Sequence, residues 1–295
     1  MTQKFDRSAE DLGNIVQLEH VNFLVPDQRL ATLFYIIGLG LTRDPYLVTG
    51  VVNMWVNVGR SQFHLPVGDP QKLRGRIGLV VPDLAALAQQ LEGVRKPLEG
   101  TQFDFTPPNQ PNGHIDVTCP WGNLFRCHAP GPQFEPVALG MAYVQFDVPA
   151  GTADGIARFY GEVIGGLTSV GEADGAPAAH VVVGHRQSLV FRESDGPVPD
   201  YDGHHFQLYV ADFSGPHVKL DERGLITEES NQHQYRFNDI VDPSDGAVLY
   251  TVEHEIRSMT HPLFARPTIN RNPEITNNAY AAGYQDRAWS TPLAQ

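Results

Sequence analysis

One pattern, met four times, constrains this chain more than any other feature. It first occurs at Leu18-Glu19-His20-Val21-Asn22-Phe23-Leu24-Val25-Pro26-Asp27, where a polar or aromatic residue stands five positions before a valine and a helix-starting signal follows. The equivalent residues are His20, Arg76, Tyr143 and His205, spaced 56, 67 and 62 residues apart. A repeat of this period is one supersecondary unit, and it fixes the architecture before any local motif is read.

Each unit reads as strand, helix and three strands. In the first, a strand begins near Ile15, and Asp27 caps a helix whose Leu30, Leu33, Phe34 and Ile37 share one face, with Gly38 and Gly40 ending it. Strands are predicted over 41–47, 51–58 and 62–65. The second unit starts at Arg76, has a helix over 83–91 stopped by Gly93, and is interrupted by a proline-rich loop over 106–113. Its strands at 114–118 and 124–128 enclose the turn Cys119-Pro120-Trp121-Gly122-Asn123. The third unit begins near Leu139, and its Phe159-Tyr160 to Gly166-Leu167-Thr168 segment parallels Phe34-Tyr35 to Gly40-Leu41-Thr42. The fourth contains Asp242-Pro243-Ser244-Asp245-Gly246, the counterpart of the turn after Cys119. Odd units therefore resemble odd ones, and even resemble even.

That alternation implies a duplicated two-unit block. Pro130, Pro132 and Pro136 make the stretch between the blocks stiff, and it is the predicted boundary. The expected organisation is a lead-in over 1–14, a first domain over 15–132, a second over 137–256 and an arm over 257–295, each domain forming its own curved sheet. The arm mixes prolines with isolated apolar residues. It is expected to lie on a subunit surface through Leu263, Phe264 and Ile269, with its own subunit and a neighbour's both open, and a homo-oligomer is expected.

The chain carries 34 acidic against 21 basic residues, a net charge of −13, which opposes binding to a phosphate backbone and argues against a nucleic-acid partner. No apolar run approaches bilayer length and no targeting segment opens the chain, so no membrane partner and a cytoplasmic address are expected. Cys119 and Cys127, two cysteines in 295 residues, fit reduced thiols better than a disulfide framework.

Four βαβββ modules with Asp-Pro-x-Asp-Gly-type turns before the last strand resemble the vicinal oxygen chelate superfamily, also called the glyoxalase, bleomycin-resistance and extradiol dioxygenase superfamily. The resemblance covers roughly residues 15 to 256. It implies an α+β fold in which modules pair into two curved mixed sheets, each a cup able to hold a divalent metal on residues from the first and last strands of its modules. The length and module count resemble the two-domain extradiol dioxygenases, whose second pair holds iron with two His and one Glu.

Carried onto this sequence, the resemblance places Tyr143, His205 and Tyr250 at the ligand positions of the second pair. There His205 is the good ligand, and Glu253 becomes a further metal ligand if a bulge turns it inward, since regular alternation aims Glu253 and Glu255 away from Tyr250. In the first pair the positions fall on His20, His64, Arg76 and Arg126. Two permanent cations oppose a metal there, so these four are read as substrate-binding, with an anion or internal carboxylate between the arginines. The implied function is a glyoxalase- or dioxygenase-like enzyme acting on a small oxygenated organic molecule, with His205, Tyr250 and Tyr143 catalytic and one divalent metal (Fe, Mn or Zn) in the second domain. The alternative is a metal-free small-molecule binding or sequestering protein.

Overall fold

The computed structural model describes residues 5–45, 47, 52–107 and 113–268. Its elements follow the predicted module order. Module 1 comprises β1 (Ile15–Asn22), α1 (Gln28–Ala31, continuing as a wider turn of helix over Thr32–Gly38), β2 (Thr42–Arg43), β3 (Asn53–Val58) and β4 (Ser61–Pro66). Module 2 comprises β5 (Gly75–Val80), α2 (Leu84–Arg95), β6 (Asp104–Phe105), β7 (His114–Thr118) and β8 (Leu124–His128). Module 3 holds β9 (Gly140–Pro149), α3 (Ala153–Arg158, widening over Phe159–Ile164), β10 (Thr168–Ala173), β11 (Ala176–Gly184) and β12 (Gln187–Ser194). Module 4 holds β13 (His205–Val210), α4 (Ser214–Asp221), β14 (Ile226–Asn231), β15 (Gln234–Val241) and β16 (Val248–Ser258).

Local chemistry explains the boundaries. Asp27 and Asp83 are extended residues whose carboxylates accept from the second and third backbone N–H groups beyond them, satisfying donors the first helical turn leaves free. Gly93 does not stop α2, which runs on to Arg95; a side chain there would meet nothing within 4 Å, so the position faces open space and costs helix propensity without breaking the helix. Cys119 and Cys127 are free and buried, as the composition suggests.

The module pairing corrects the expected domain organisation. The two eight-stranded sheets run β14-β15-β16-β13-β1-β4-β3-β2 and β10-β11-β12-β9-β5-β8-β7-β6, so module 1 pairs with module 4 and module 2 with module 3. The joins are antiparallel ladders between first strands, β1 with β13 and β5 with β9. The proline-rich stretch between β8 and β9 therefore connects two modules of one sheet instead of separating two sheets. Every module offers a similar first-strand edge, and a repeat pattern carries no information on which edge meets which.

The module 1 and 4 sheet has two chemically distinct faces. Val21, Phe23, Phe63, Leu65, Phe206 and Leu208 are buried and alternate with polar residues on the other side. The apolar faces of the two sheets pack against each other: Phe63 lies 5.8 Å from Phe125, and Phe146 5.6 Å from Phe206, between ring centroids. The opposite face of the module 1 and 4 sheet, termed the cup, is polar and carries His20, Gln62, His64, His205 and Gln207.

The described part of the arm lies on its own chain. Past the end of β16 it runs across that polar face, with Phe264 against Tyr209 at 4.8 Å and Arg266 Nη2 bonded to Asp44 Oδ2 at 2.8 Å and Gln62 Oε1 at 3.0 Å. The Thr268 carbonyl accepts from Asn57 Nδ2. Leu263 is half-buried, and Ile269 lies outside the described residues. The segment is a strap over the cup.

Candidate metal centre

Because β1 and β13 run antiparallel side by side, residues from opposite ends of the chain meet. His20 is in register with Gln207 and Asn22 with His205; on the flanking strands Asn22 is in register with His64 and His205 with Glu253. Side chains in register on neighbouring strands share a face. The three imidazoles His20, His64 and His205 consequently converge, their ligating nitrogens all within 4.8 Å of one another. The ring centroids of His64 and His205 lie 5.8 and 5.7 Å from that of His20, and Trp55 stacks on His64 at 3.9 Å.

Two of the rings are oriented by carboxylates. His20 Nδ1 faces Glu19 Oε2 at 3.1 Å, and His205 Nδ1 faces Glu253 Oε1 at 3.2 Å. A local irregularity of the ladder between Leu18 and His20 lets Glu19 reach its neighbour's ring. A carboxylate on Nδ1 fixes the tautomer that leaves Nε2 as a lone-pair donor. The Nε2 atoms of all three histidines are buried and have no hydrogen-bond partner within the protein.

Burial also sets the charge of these rings. Desolvation pulls the His20 pKa down to about 3, with Glu255 opposing and Arg257 assisting, and pushes His64 and His205 well below the ordinary value. The imidazoles are neutral, the form that binds a metal. Glu255 Oε2 stands 3.5 Å from His205 Nε2. Arg236 Nη2 donates to that carboxylate at 2.5 Å and Arg257 Nη2 lies 2.6 Å from its other oxygen; Arg236 also pairs with Glu253, and Arg257 with Glu19. Burial raises the pKa of Glu19 and Glu253, and Arg257 beside Glu19 and Arg236 beside Glu253 oppose that rise.

A divalent cation fits this donor set. An unsatisfied buried polar atom costs on the order of 1–3 kcal/mol. Three such nitrogens on one cluster of rings are a large stability cost to leave unexplained in a well-packed sheet. Three neutral nitrogens and a nearby carboxyl group are a donor set that suits a divalent first-row metal.

Several sequence expectations move. Tyr250 and Tyr143 do not join His205. On β16, Glu253 and Glu255 face His205 and Tyr250 lies on the far side, and the β15–β16 ladder is irregular between Thr251 and His254. There its ring packs on Phe146 and lies under the Arg74 guanidinium at 4.2 Å. Tyr143 belongs to the other sheet, where its hydroxyl meets His128 Nε2 at 3.0 Å. The centre belongs to the sheet shared by modules 1 and 4, not to a second domain, so His20 and His64 stand with His205 and apart from Arg76 and Arg126. Glu253 faces Nδ1 of His205, while Glu255 is the carboxylate nearer the three free nitrogens.

In the module 2 and 3 sheet the chain's own side chains take up the corresponding positions. Gly78 occupies the place of Asn22, and a Cβ there would lie 2.1 Å from the Tyr143 ring, which takes up that space. Asp174, at the β10–β11 turn, reaches both Arg126 (3.1 Å) and Arg76 (3.7 Å), so the two arginines do converge, and the carboxylate between them is internal.

No family model matches the sequence, and no curated protein matches it either. Solved structures do match. A "putative dioxygenase" from Bacillus subtilis superposes with a TM-score of 0.55 at 14% identity, covering 84% of this chain and 86% of that one. Glyoxalase I from Zea mays superposes with a TM-score of 0.57 at 13% identity, covering 82% and 92%. The fold is glyoxalase- and dioxygenase-like, with four modules paired into two mixed sheets. Among the described residues no helix is long and apolar enough to cross a membrane.

Proposed function

We propose that this chain is a divalent-metal enzyme acting on a small organic molecule with vicinal oxygens, its centre built by His20, His64 and His205 with Glu255 as the anionic fourth donor. The observation that carries the reading is the convergence of three buried, neutral imidazoles whose Nε2 atoms have no partner within the protein. The names of the structural neighbours, a dioxygenase and a glyoxalase, support the substrate class. A bound divalent ion would supply Lewis-acid polarisation of the substrate's oxygens.

The chain's own residues do the rest. Glu19 and Glu253 hold the His20 and His205 rings by Nδ1, and Arg236 and Arg257 hold Glu255 in place beside His205. Trp55 braces His64 from the side. The strap shields the cup from bulk water, which strengthens electrostatic interactions inside it.

Turnover of a panel of catechols and α-oxo compounds, measured on untagged protein stripped with chelator and then reloaded with Fe(II), Mn(II) or Zn(II), tests this. At least one substrate should be consumed only by a reloaded form. Equal activity of stripped and reloaded protein, or none with any metal, would count against an enzyme of this class.

A further inference from the structure

Gln207 sits on the same face as the three histidines, and neither polar atom of its side chain has a hydrogen-bond partner among the described residues. It is fully buried, at 0% exposure, yet both its amide nitrogen and its amide oxygen have no hydrogen-bond partner. Its position on β13, two residues from His205 and in register with His20, aims it at the face of the cup that carries the imidazoles. Asn22, in register with His205 and 4% exposed, adds a second orphan on the same face, its Oδ1. A glutamine retained there for packing alone would be less stable than an apolar residue of the same size, because the amide loses its water without gaining a partner.

Resting on the metal-centre reading above, we infer that Gln207, assisted by Asn22, reads a hydroxyl group of the substrate next to the two oxygens that the metal takes. An amide presents one acceptor and one donor side by side, so the complementary group must itself donate and accept. A hydroxyl does both; a methyl or a bare ring edge does neither, and a halide cannot donate. The substrate class narrows to compounds with three contiguous oxygens, in which two chelate and the third meets Gln207. Sites built to hydrogen-bond a substrate hydroxyl discriminate strongly against the analogue that lacks it, because the protein's own buried groups are then left unpaired.

The test uses Co(II)-loaded, untagged full-length protein and the probe pair pyrogallol and catechol, which differ by that one hydroxyl. Wild type should bind pyrogallol at least about tenfold more tightly, followed by the cobalt absorption bands. Gln207→Met, the closest apolar match in shape, should retain one cobalt per chain, lose the preference for pyrogallol, and melt at an equal or higher temperature than wild type. Gln207→Leu serves as the second variant and should agree. A wild type that binds both phenols equally or neither, or a Gln207→Met protein that keeps the preference, overturns the inference. Loss of cobalt in Gln207→Met also overturns it, since Gln207 would then be a ligand, and a lower melting temperature in both variants would mark the amide as structural. Wild-type protein that takes up no cobalt would instead sink the metal centre itself, an outcome distinct from all of these.

Discussion

Alanine at His20, His64 or His205 is expected to lower metal affinity by more than about 100-fold in each case, because loss of a direct donor exceeds the 10–100-fold typical of residues that only orient one. The three positions come from β1, β4 and β13, so equal sensitivity at all three would show that the two ends of the chain share one ion. Folding should survive. Each substitution removes a buried imidazole whose Nε2 has no protein partner, and the ladders β1–β13 and β1–β4 are made by backbone. Glu19→Gln and Glu253→Gln should give smaller losses, since they remove the charge that orients a ring and leave the ring in place. Competition against a chromophoric chelator measures all five variants. Loss confined to His205 would contradict a shared centre.

The second large effect concerns the strap. Arg266→Ala is expected to destabilise the protein by about 3–5 kcal/mol, the range for removing one member of a buried ion pair. Side-chain exposures are 2% for Arg266 and 0% for Asp44, and the same guanidinium also bonds Gln62, which is in register with His20. Arg266→Lys keeps the charge but loses the fork that engages two acceptors at once, so an intermediate loss is expected. Urea unfolding monitored by tryptophan fluorescence reads the change. A shift below about 1 kcal/mol, the size of a surface pair, would mean that the strap is not docked in solution.

Much of this was legible in the sequence, and what was not has a physical reason. The strands at 114–118 and 124–128 and the Asp27 and Asp83 caps follow from alternation, turn chemistry and capping, all of which are local. His20, His64 and His205 stand out in the sequence because the repeat marks them, but module pairing is a long-range choice among similar edges, so sequence reading divides them between two domains. The count of four residues from Gly246 points to Tyr250, although alternation along β16 places Glu253 and Glu255 on its opposite face. Parity was the better guide, and register with His205 settles which face is inside. Glu19 reaches His20 only through a ladder irregularity that no periodicity announces. Gln207 has no signal beyond standing two residues after His205, since the absence of a partner is a property of the folded interior.

The central claim is that His20, His64 and His205 bind one divalent ion. X-ray absorption at the zinc edge, on untagged full-length protein loaded with one equivalent of Zn(II) and freed of excess metal, addresses it most directly. The account predicts stoichiometric retention and a first shell with three imidazole nitrogens at about 2.0–2.1 Å together with oxygen. Protein that retains no zinc, or a first shell with fewer than two imidazoles, would contradict it.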